Sequence, residues 1–135
     1  MNIVVGYLET PEGMAAVQRA ASLAADRGAV LHLIGIVKVP KTDDEASTYS
    51  NRREAARRRL VELAAELDLP AFEVHVPAGT ERPGAAILAV ARSENADLIV
   101  IGMRRRSRVG KLVLGSTAQE ILLDSECDVL SVKAS

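Results

Sequence analysis

Aromatic residues are nearly absent from this sequence: Tyr7, Tyr49 and Phe72 are the only three, and tryptophan does not occur. Proteins that bind single-stranded nucleic acid stack the bases on aromatic rings, and this chain has too few rings to form such a surface. The formal net charge of -1 also excludes an extensively basic surface. Both features argue against nucleic acid as a partner. The core must be built from valine, leucine, isoleucine and alanine.

Cysteine and histidine are also scarce. Cys127 is the only cysteine, which excludes an intramolecular disulfide and a zinc site made of cysteines. Because His32 and His75 are the only histidines, a metal site would need mostly carboxylate ligands. The sequence pattern assigns no metal ligands.

Long hydrophobic runs are absent as well. No apolar stretch approaches the length that spans a membrane, and no charged segment followed by an apolar one opens the chain. We therefore expect a cytoplasmic protein with no membrane partner. A length of 135 residues suffices for one core, so residues 1–135 are predicted to form a single domain.

Short apolar runs alternate with longer helical patterns along the chain. Strands are predicted at 2–7, 30–37, 71–76, 98–101 and 128–132. Helices are predicted at 11–27, 52–67, 83–95 and 116–124, and a long loop at 38–50. The first helix has the clearest ends, because Thr10, Pro11 and Gly28 are typical of an N-cap, a first helical residue and a C-terminal cap.

This βαβαβαβαβ order predicts an α/β fold, a three-layer sandwich with a central sheet of five parallel strands. The run 71–76 alternates apolar and polar residues, which is typical of an edge strand with one face in water. With strand order 3-2-1-4-5, the order reverses between strands 1 and 4. The loops after Tyr7 and Ile101 would then face each other across a ligand crevice.

The segment from Asp97 to Thr117 is the strongest candidate for a functional site. An apolar strand breaks at Gly102, and a loop follows that carries five positive charges, at Arg104, Arg105, Arg106, Arg108 and Lys111. The segment ends at a small-residue turn, Gly115-Ser116-Thr117, that opens the last helix. Free backbone N–H groups at a helix start, with glycine and positive charge nearby, predict an anion site.

Two common nucleotide motifs are excluded. Gly110-Lys111 suggests a P-loop, but that motif needs glycine at 105 and serine or threonine at 112, where the chain has Arg105 and Leu112. The dinucleotide motif needs three closely spaced glycines after strand 1, where only Gly6 and Gly13 occur.

No residue pattern predicts catalysis. Cys127 has no histidine near it in sequence and is expected to be a half-buried structural thiol. Ser116 lacks a nearby base, so phosphate binding or helix capping is the better interpretation. His32 and His75 are each interpreted as structural.

The chain resembles the universal stress protein family over essentially its whole length. The resemblance rests on the strand and helix order and on the motif Gly-x2-Gly-x9-Gly-[Ser/Thr], which Gly102 and Gly115-Ser116 match. The run Leu112–Ser116 and the ending Cys127–Val132 are also similar to that family. Two positions depart from it: Arg105 replaces the second glycine, and Leu8 replaces an aspartate that ends strand 1 in ATP-binding members.

The resemblance implies an adenine nucleotide alpha hydrolase-like sheet and a cytoplasmic stress-response regulator that binds ATP or another adenine nucleotide. It also implies a homodimer formed through Val129–Val132. The residues expected to bind the nucleotide are Tyr7, Leu8, Val37, Gly102, Arg104, Arg105, Ser107, Gly115, Ser116 and Thr117. One alternative is a dimeric scaffold that acts through protein contacts without a nucleotide. Another is an enzyme that hydrolyses ATP very slowly.

Overall fold

Five strands and four helices alternate along the residues that the computed structural model describes, which are 1–40, 46–79, 82–104 and 114–134. The strands are β1 (Asn2–Gly6), β2 (Val30–Ile34), β3 (Phe72–His75), β4 (Leu98–Met103) and β5 (Asp128–Lys133). The helices are α1 (Pro11–Arg27), α2 (Ala46–Glu66), α3 (Pro83–Ser93) and α4 (Ser116–Asp124). Among these helices, none is both long and apolar enough to cross a membrane.

The strands form one parallel sheet in the order β3-β2-β1-β4-β5. This confirms the predicted fold class and strand order, including the position of β3 at an edge. Each crossover is long enough to contain a helix, as parallel pairing requires.

Hydrophobic clusters cover both faces of the sheet. On one face, α1 and α2 pack over alternate strand residues such as Ile3 and Leu31. On the other face, α3 and α4 pack over their neighbours in sequence, such as Val4 and Ile99. Since strand side chains alternate between faces, His32 lies on the α3/α4 face, and the structure buries it there.

Helix α1 begins and ends where the sequence predicts. The Thr10 hydroxyl oxygen accepts a hydrogen bond from the Gly13 N–H at 3.0 Å, and Pro11 occupies the first helical position. At the other end Gly28 adopts a left-handed conformation, with φ of 62°, and its N–H donates to the Ala24 carbonyl. Glycine adopts this conformation without the steric cost that a side chain brings.

Several predicted boundaries were wrong, and contacts in the structure explain three of them. β2 ends at Ile34 and not at Val37, because Ile34 pairs with Gly6, the last residue of β1. β4 does not break at Gly102 but continues to Met103, because β5 extends far enough to pair with both residues.

The third wrong boundary is the start of α2, which lies at Ala46, inside the predicted loop 38–50. Contacts with the segment after β3 hold this first part of the helix. The Tyr49 hydroxyl accepts a hydrogen bond from the Gly79 N–H at 3.0 Å. One turn later, the Arg53 guanidinium donates to the Val76 carbonyl. These long-range contacts leave no signal in a local sequence pattern.

Candidate functional site

A crevice with a volume of about 250 Å³ lies at the carboxyl ends of β1 and β4, where the strand order reverses. This is the position at which open parallel sheets bind ligands. Six segments contribute its described lining: Gly6–Leu8, Glu12 with Gly13, Ile34 with Ile36, Pro83 with Ile87, Val100–Arg104, and Leu114–Ala118 with Ile121.

The N-terminus of α4 forms the polar side of the crevice. Gly115 is the N-cap and, having no side chain, makes no side-chain capping hydrogen bond to the first turn. The Gly115 carbonyl accepts the Gln119 N–H at 3.0 Å, so the N–H groups before Gln119 belong to the free first turn of the helix. A Cβ atom added at Gly115 would meet no described atom within 4 Å. Among the described residues, none therefore fills the space next to the Cβ position of Gly115.

The opposite side of the crevice is apolar. Ile34 and Ile36 contribute from the end of β2, and Ile87 contributes from α3. Strand order places β2 and β4 on opposite sides of β1, so the apolar side chains and the α4 N-terminus are separated by the width of the crevice. A ligand with one apolar end and one anionic end fits this division.

One ion pair lies at the rim. The Arg104 Nε atom is 3.6 Å from the Glu12 Oε1 atom, with Arg104 largely exposed and Glu12 mostly buried. Both residues line the crevice. Because Arg104 is largely exposed to solvent, the pair contributes little to stability, and exchange of Glu12 for a ligand anion would cost little.

Two glycines below the crevice allow close backbone packing. At Gly102, a Cβ atom would collide with the carbonyl group of Glu12 in the first turn of α1. At Gly13, a Cβ atom would collide with the carbonyl oxygen of Leu8. These glycines let α1 begin directly against the ends of β1 and β4, and both line the crevice.

The sequence profile of the universal stress protein family matches residues 1–133, nearly the whole chain. The chain belongs to the universal stress protein family. A universal stress protein of Mycolicibacterium smegmatis is 37% identical over 134 residues, covering 97% of this chain and 96% of that one.

Solved universal stress protein structures share the fold. One, solved in complex with cAMP, has a TM-score of 0.71 and 25% identity, covering 100% of this chain and 98% of that one. Another, from Archaeoglobus fulgidus in complex with dAMP, has a TM-score of 0.70 and 21% identity, covering 98% of each chain. The second likeness shows the fold alone.

The universal stress protein crevice brings together seven of the ten residues that the sequence predicts for the site. They are Tyr7, Leu8, Gly102, Arg104, Gly115, Ser116 and Thr117. Val37 is not among the described lining residues and packs instead against the cluster on the α1/α2 face. Arg105 and Ser107 lie outside the described residues.

Sequence reasoning did not find the contributions of Glu12, Ile34, Ile36, Pro83 and Ile87. Glu12 carries a signal, since the helix that follows β1 must begin beside the carboxyl end of that strand. No sequence pattern marks Pro83 and Ile87 as site residues, because their place in the crevice depends on how α3 packs across the sheet. Cys127 is half-buried, as predicted, and it lies outside the crevice, where its N–H donates to the Ser125 hydroxyl oxygen at 3.2 Å.

Proposed function

We propose that this universal stress protein binds an adenine nucleotide in the crevice and acts as a small cytoplasmic regulator of a stress response. The observation that carries the proposal is the start of α4, where the N-cap Gly115 has no side chain and no described atom lies within 4 Å of its Cβ position. A helix N-terminus of this kind attracts phosphate through its free N–H groups and the helix dipole. The hydroxyl groups of Ser116 and Thr117 add further donors.

In this proposal, the two sides of the crevice bind different parts of the nucleotide. We assign the phosphates to Gly102, Arg104, Arg105, Ser107, Gly115, Ser116 and Thr117. We assign the adenine and ribose to Tyr7, Leu8 and the apolar side chains of Ile34 and Ile36. Val37 has no part in this arrangement, because it packs on the other face of the sheet.

Two observations support this assignment. Family members of the same fold have been solved with cAMP and with dAMP, both of which combine an adenine with a phosphate. Among the described lining residues, Glu12 is the one carboxylate, and it is paired with Arg104. The described part of the crevice therefore offers a binding surface for a nucleotide, with a carboxylate only at Glu12.

Leu8 favours a second candidate function, a dimeric scaffold that acts through protein contacts. Its apolar side chain is 51% exposed at the end of β1, where ATP-binding members of the family carry an aspartate. The edge strand β5 would form the homodimer through Val129–Val132. An open edge with three half-buried apolar side chains, at Val129, Leu130 and Val132, is suited to pairing with a second copy.

The first experiment identifies the small molecules that the freshly purified protein releases on denaturation, by mass spectrometry, and adds calorimetric titration with ATP, ADP, AMP and cAMP. We expect an adenine nucleotide in the released fraction or a saturable heat of binding. An empty protein that gives no heat with any of the four supports the scaffold and contradicts the nucleotide proposal.

Two substitutions then test whether the nucleotide binds in the crevice, and the first is at Gly115. Gly115→Val places a branched side chain in the open space before α4, and we expect it to lower nucleotide affinity by about tenfold or more. The backbone at Gly115, with φ of -67° and ψ of 161°, accepts valine, so the variant should remain folded. Unchanged affinity would contradict the phosphate assignment.

Arg104→Gln tests the charge at the rim against a matched control. We expect this variant to bind ATP several-fold more weakly and with a smaller dependence on salt. Arg92→Gln is the control, because Arg92 is also exposed and paired with a glutamate, Glu126, but lies outside the crevice. Equal effects of the two variants would show that Arg104 acts only through net charge.

A further inference from the structure

Four side chains that bear metal-binding atoms meet on the α3/α4 face of the sheet, away from the crevice. They are His32 on β2, Glu73 and His75 on β3, and Glu94 at the end of α3, and one ligand atom of each lies within 4.8 Å of all the others. The β2–β3 register places His32 beside Glu73. Because strand side chains alternate, His75 shares their face.

The distances among three of these atoms fit a tetrahedral metal ion. His32 Nδ1 lies 2.9 Å from His75 Nε2 and 3.3 Å from Glu73 Oε2, and His75 Nε2 lies 3.7 Å from the same oxygen. Nitrogen and oxygen ligands of zinc, with bonds of about 2.0–2.1 Å, lie about 3.3 Å apart at the corners of a tetrahedron. The three observed separations bracket this value, and the atoms surround a point about 2 Å from each of them.

A hydrogen bond to Asn2 orients the His32 ring so that Nδ1 is available to bind a cation. The His32 Nε2 atom lies 2.9 Å from the Asn2 Oδ1 atom, which only accepts hydrogen bonds. Nε2 therefore carries the proton of the neutral ring, and the lone pair of Nδ1 points toward His75 and Glu73. Metal-binding histidines are commonly oriented by an acceptor in this way.

The charge and exposure of the cluster also suit a cation. The exposed fraction of the side chain rises toward the edge of the sheet, from 1% at His32 to 21% at His75 and 54% at Glu73. An ion can therefore enter from that edge. Within the described residues, the ion pairs of Glu73 are both with these histidines and none is with lysine or arginine. The negative end of the α3 dipole, next to Glu94, adds to the attraction.

We propose that this cluster is a zinc site, with His32 Nδ1, His75 Nε2 and Glu73 Oε2 as ligands and the Glu94 carboxylate as the fourth. Two imidazoles with two carboxylates form a donor set that suits Zn²⁺. In the metal-free protein the His75 Nε2–H donates to His32 Nδ1. Zinc binding requires the tautomer of His75 that carries its proton on Nδ1, so one proton moves between ring nitrogens through solvent and none is lost.

Calorimetric titration with Zn²⁺, repeated in competition with a chelator, tests the site. We expect one zinc ion per chain. His75→Ala and Glu73→Gln should each lower the affinity by about 100-fold or more, because each removes a ligand. Both residues are at the accessible edge of the sheet, so these variants stay informative even if a change at the buried His32 prevents folding. Glu62→Gln is the control, since Glu62 is also exposed, 68%, but lies on α2.

A second pair of variants tests the orientation of His32. Asn2→Ala removes the acceptor of the Nε2 proton and should weaken zinc binding by about 10- to 100-fold, whereas Asn2→Asp keeps an acceptor and should preserve the affinity. X-ray absorption at the zinc edge should show two imidazole nitrogens in a four-coordinate shell.

Three results would overturn the proposal. They are the absence of zinc binding, zinc binding that His75→Ala and Glu62→Gln leave equally strong, and a coordination shell without imidazole. The cluster would then be a hydrogen-bond network that orders the edge of the sheet. Nucleotide binding in the crevice is measured separately, so either proposal can fail without the other.

Discussion

The carbonyl group of Glu12 occupies the space in which a Cβ atom of residue 102 would lie. The end of β4 and the first turn of α1 are therefore in backbone contact, which only glycine at this position permits. Glycine at the start of a phosphate-binding motif is readily interpreted as room for a ligand. In this structure the Glu12 carbonyl group fills the side-chain position of Gly102, so a phosphate in the crevice would contact only the backbone of Gly102.

Gly102→Ala should therefore destabilise the fold whether or not a nucleotide is present. We expect the free energy of unfolding to fall by about 1–3 kcal/mol, because the backbone of α1 or β4 must move to accept the methyl group. Urea unfolding monitored by circular dichroism measures the change. Gly115→Ala is the control, since no described atom lies within 4 Å of a Cβ at Gly115 and its φ of -67° is ordinary. Equal stability of the two variants would contradict the packing role.

The buried His32 should make the metal-free protein less stable in mild acid. Burial, and then repulsion from His75, lower the pKa of His32 in the folded state, while Glu73 and Glu94 partly oppose the shift. In mild acid, the His32 imidazole is therefore protonated more readily in the unfolded chain than in the folded chain. Stability should be highest above the ordinary histidine pKa of about 6.5 and should fall below it, by at most about 1.4 kcal/mol per pH unit.

Urea midpoints measured from about pH 7.5 to about pH 5 test this dependence. Two substitutions should change it in opposite directions. His75→Gln removes the repulsion and should make the loss shallower, whereas Glu73→Gln removes an attraction and should make it steeper. A stability that is flat over this range, or that both variants shift in the same direction, would show that another group controls it.

Leu8→Asp should raise the affinity for adenine nucleotides. The carboxylate would stand at the end of β1, where it can accept a hydrogen bond from the nucleoside, and we expect a gain of about five- to tenfold. Leu123→Asp is the matched control, because Leu123 is 83% exposed and lies on α4 outside the crevice. Calorimetric titration with ATP compares both variants with the natural chain. A gain with neither variant would exclude Leu8 as the position that limits binding.

The proposed homodimer predicts a mass in solution of twice the 14.4 kDa of the chain. Ser131 is the exposed residue between the apolar side chains of Leu130 and Val132 on β5. Ser131→Lys should favour the monomer, because like charges would meet across the paired edges. Light scattering after size exclusion measures the mass, and Ser50→Lys, an exposed position on α2, is the control. A natural chain that elutes as a monomer at micromolar concentration would contradict the dimer.

The sheet and the crevice were predictable because they follow from local patterns and general topology. Apolar runs located the strands, and the reversal of strand order located the crevice between Tyr7 and Gly102. The start of α2 was not predictable, because Tyr49 is held by Gly79, thirty residues away. Nor was Val37 correctly placed, because the point at which β2 ends depends on the length of its partner β1.

The contact between His32 and Glu73 could not be predicted from the sequence, for a different reason. The apolar pattern fixes which face each strand residue takes, but a shift of two residues between β2 and β3 would preserve those faces and separate the two side chains. Sequence reasoning therefore considered the histidines one at a time and interpreted each as structural. The register that pairs His32 with Glu73 is a property of the folded sheet.

The two ends of helix α3 contribute residues to two different proposed sites. Pro83 and Ile87, in its first turns, line the crevice, and Glu94, just beyond its last residue, belongs to the histidine cluster. Eleven helical residues form a rod about 16 Å long. A ligand that displaces this rod at one end would move side chains at the other end, so α3 would connect the two proposed sites. If the sites are coupled in this way, thermodynamic reciprocity requires that zinc changes nucleotide affinity by the same factor by which nucleotide changes zinc affinity.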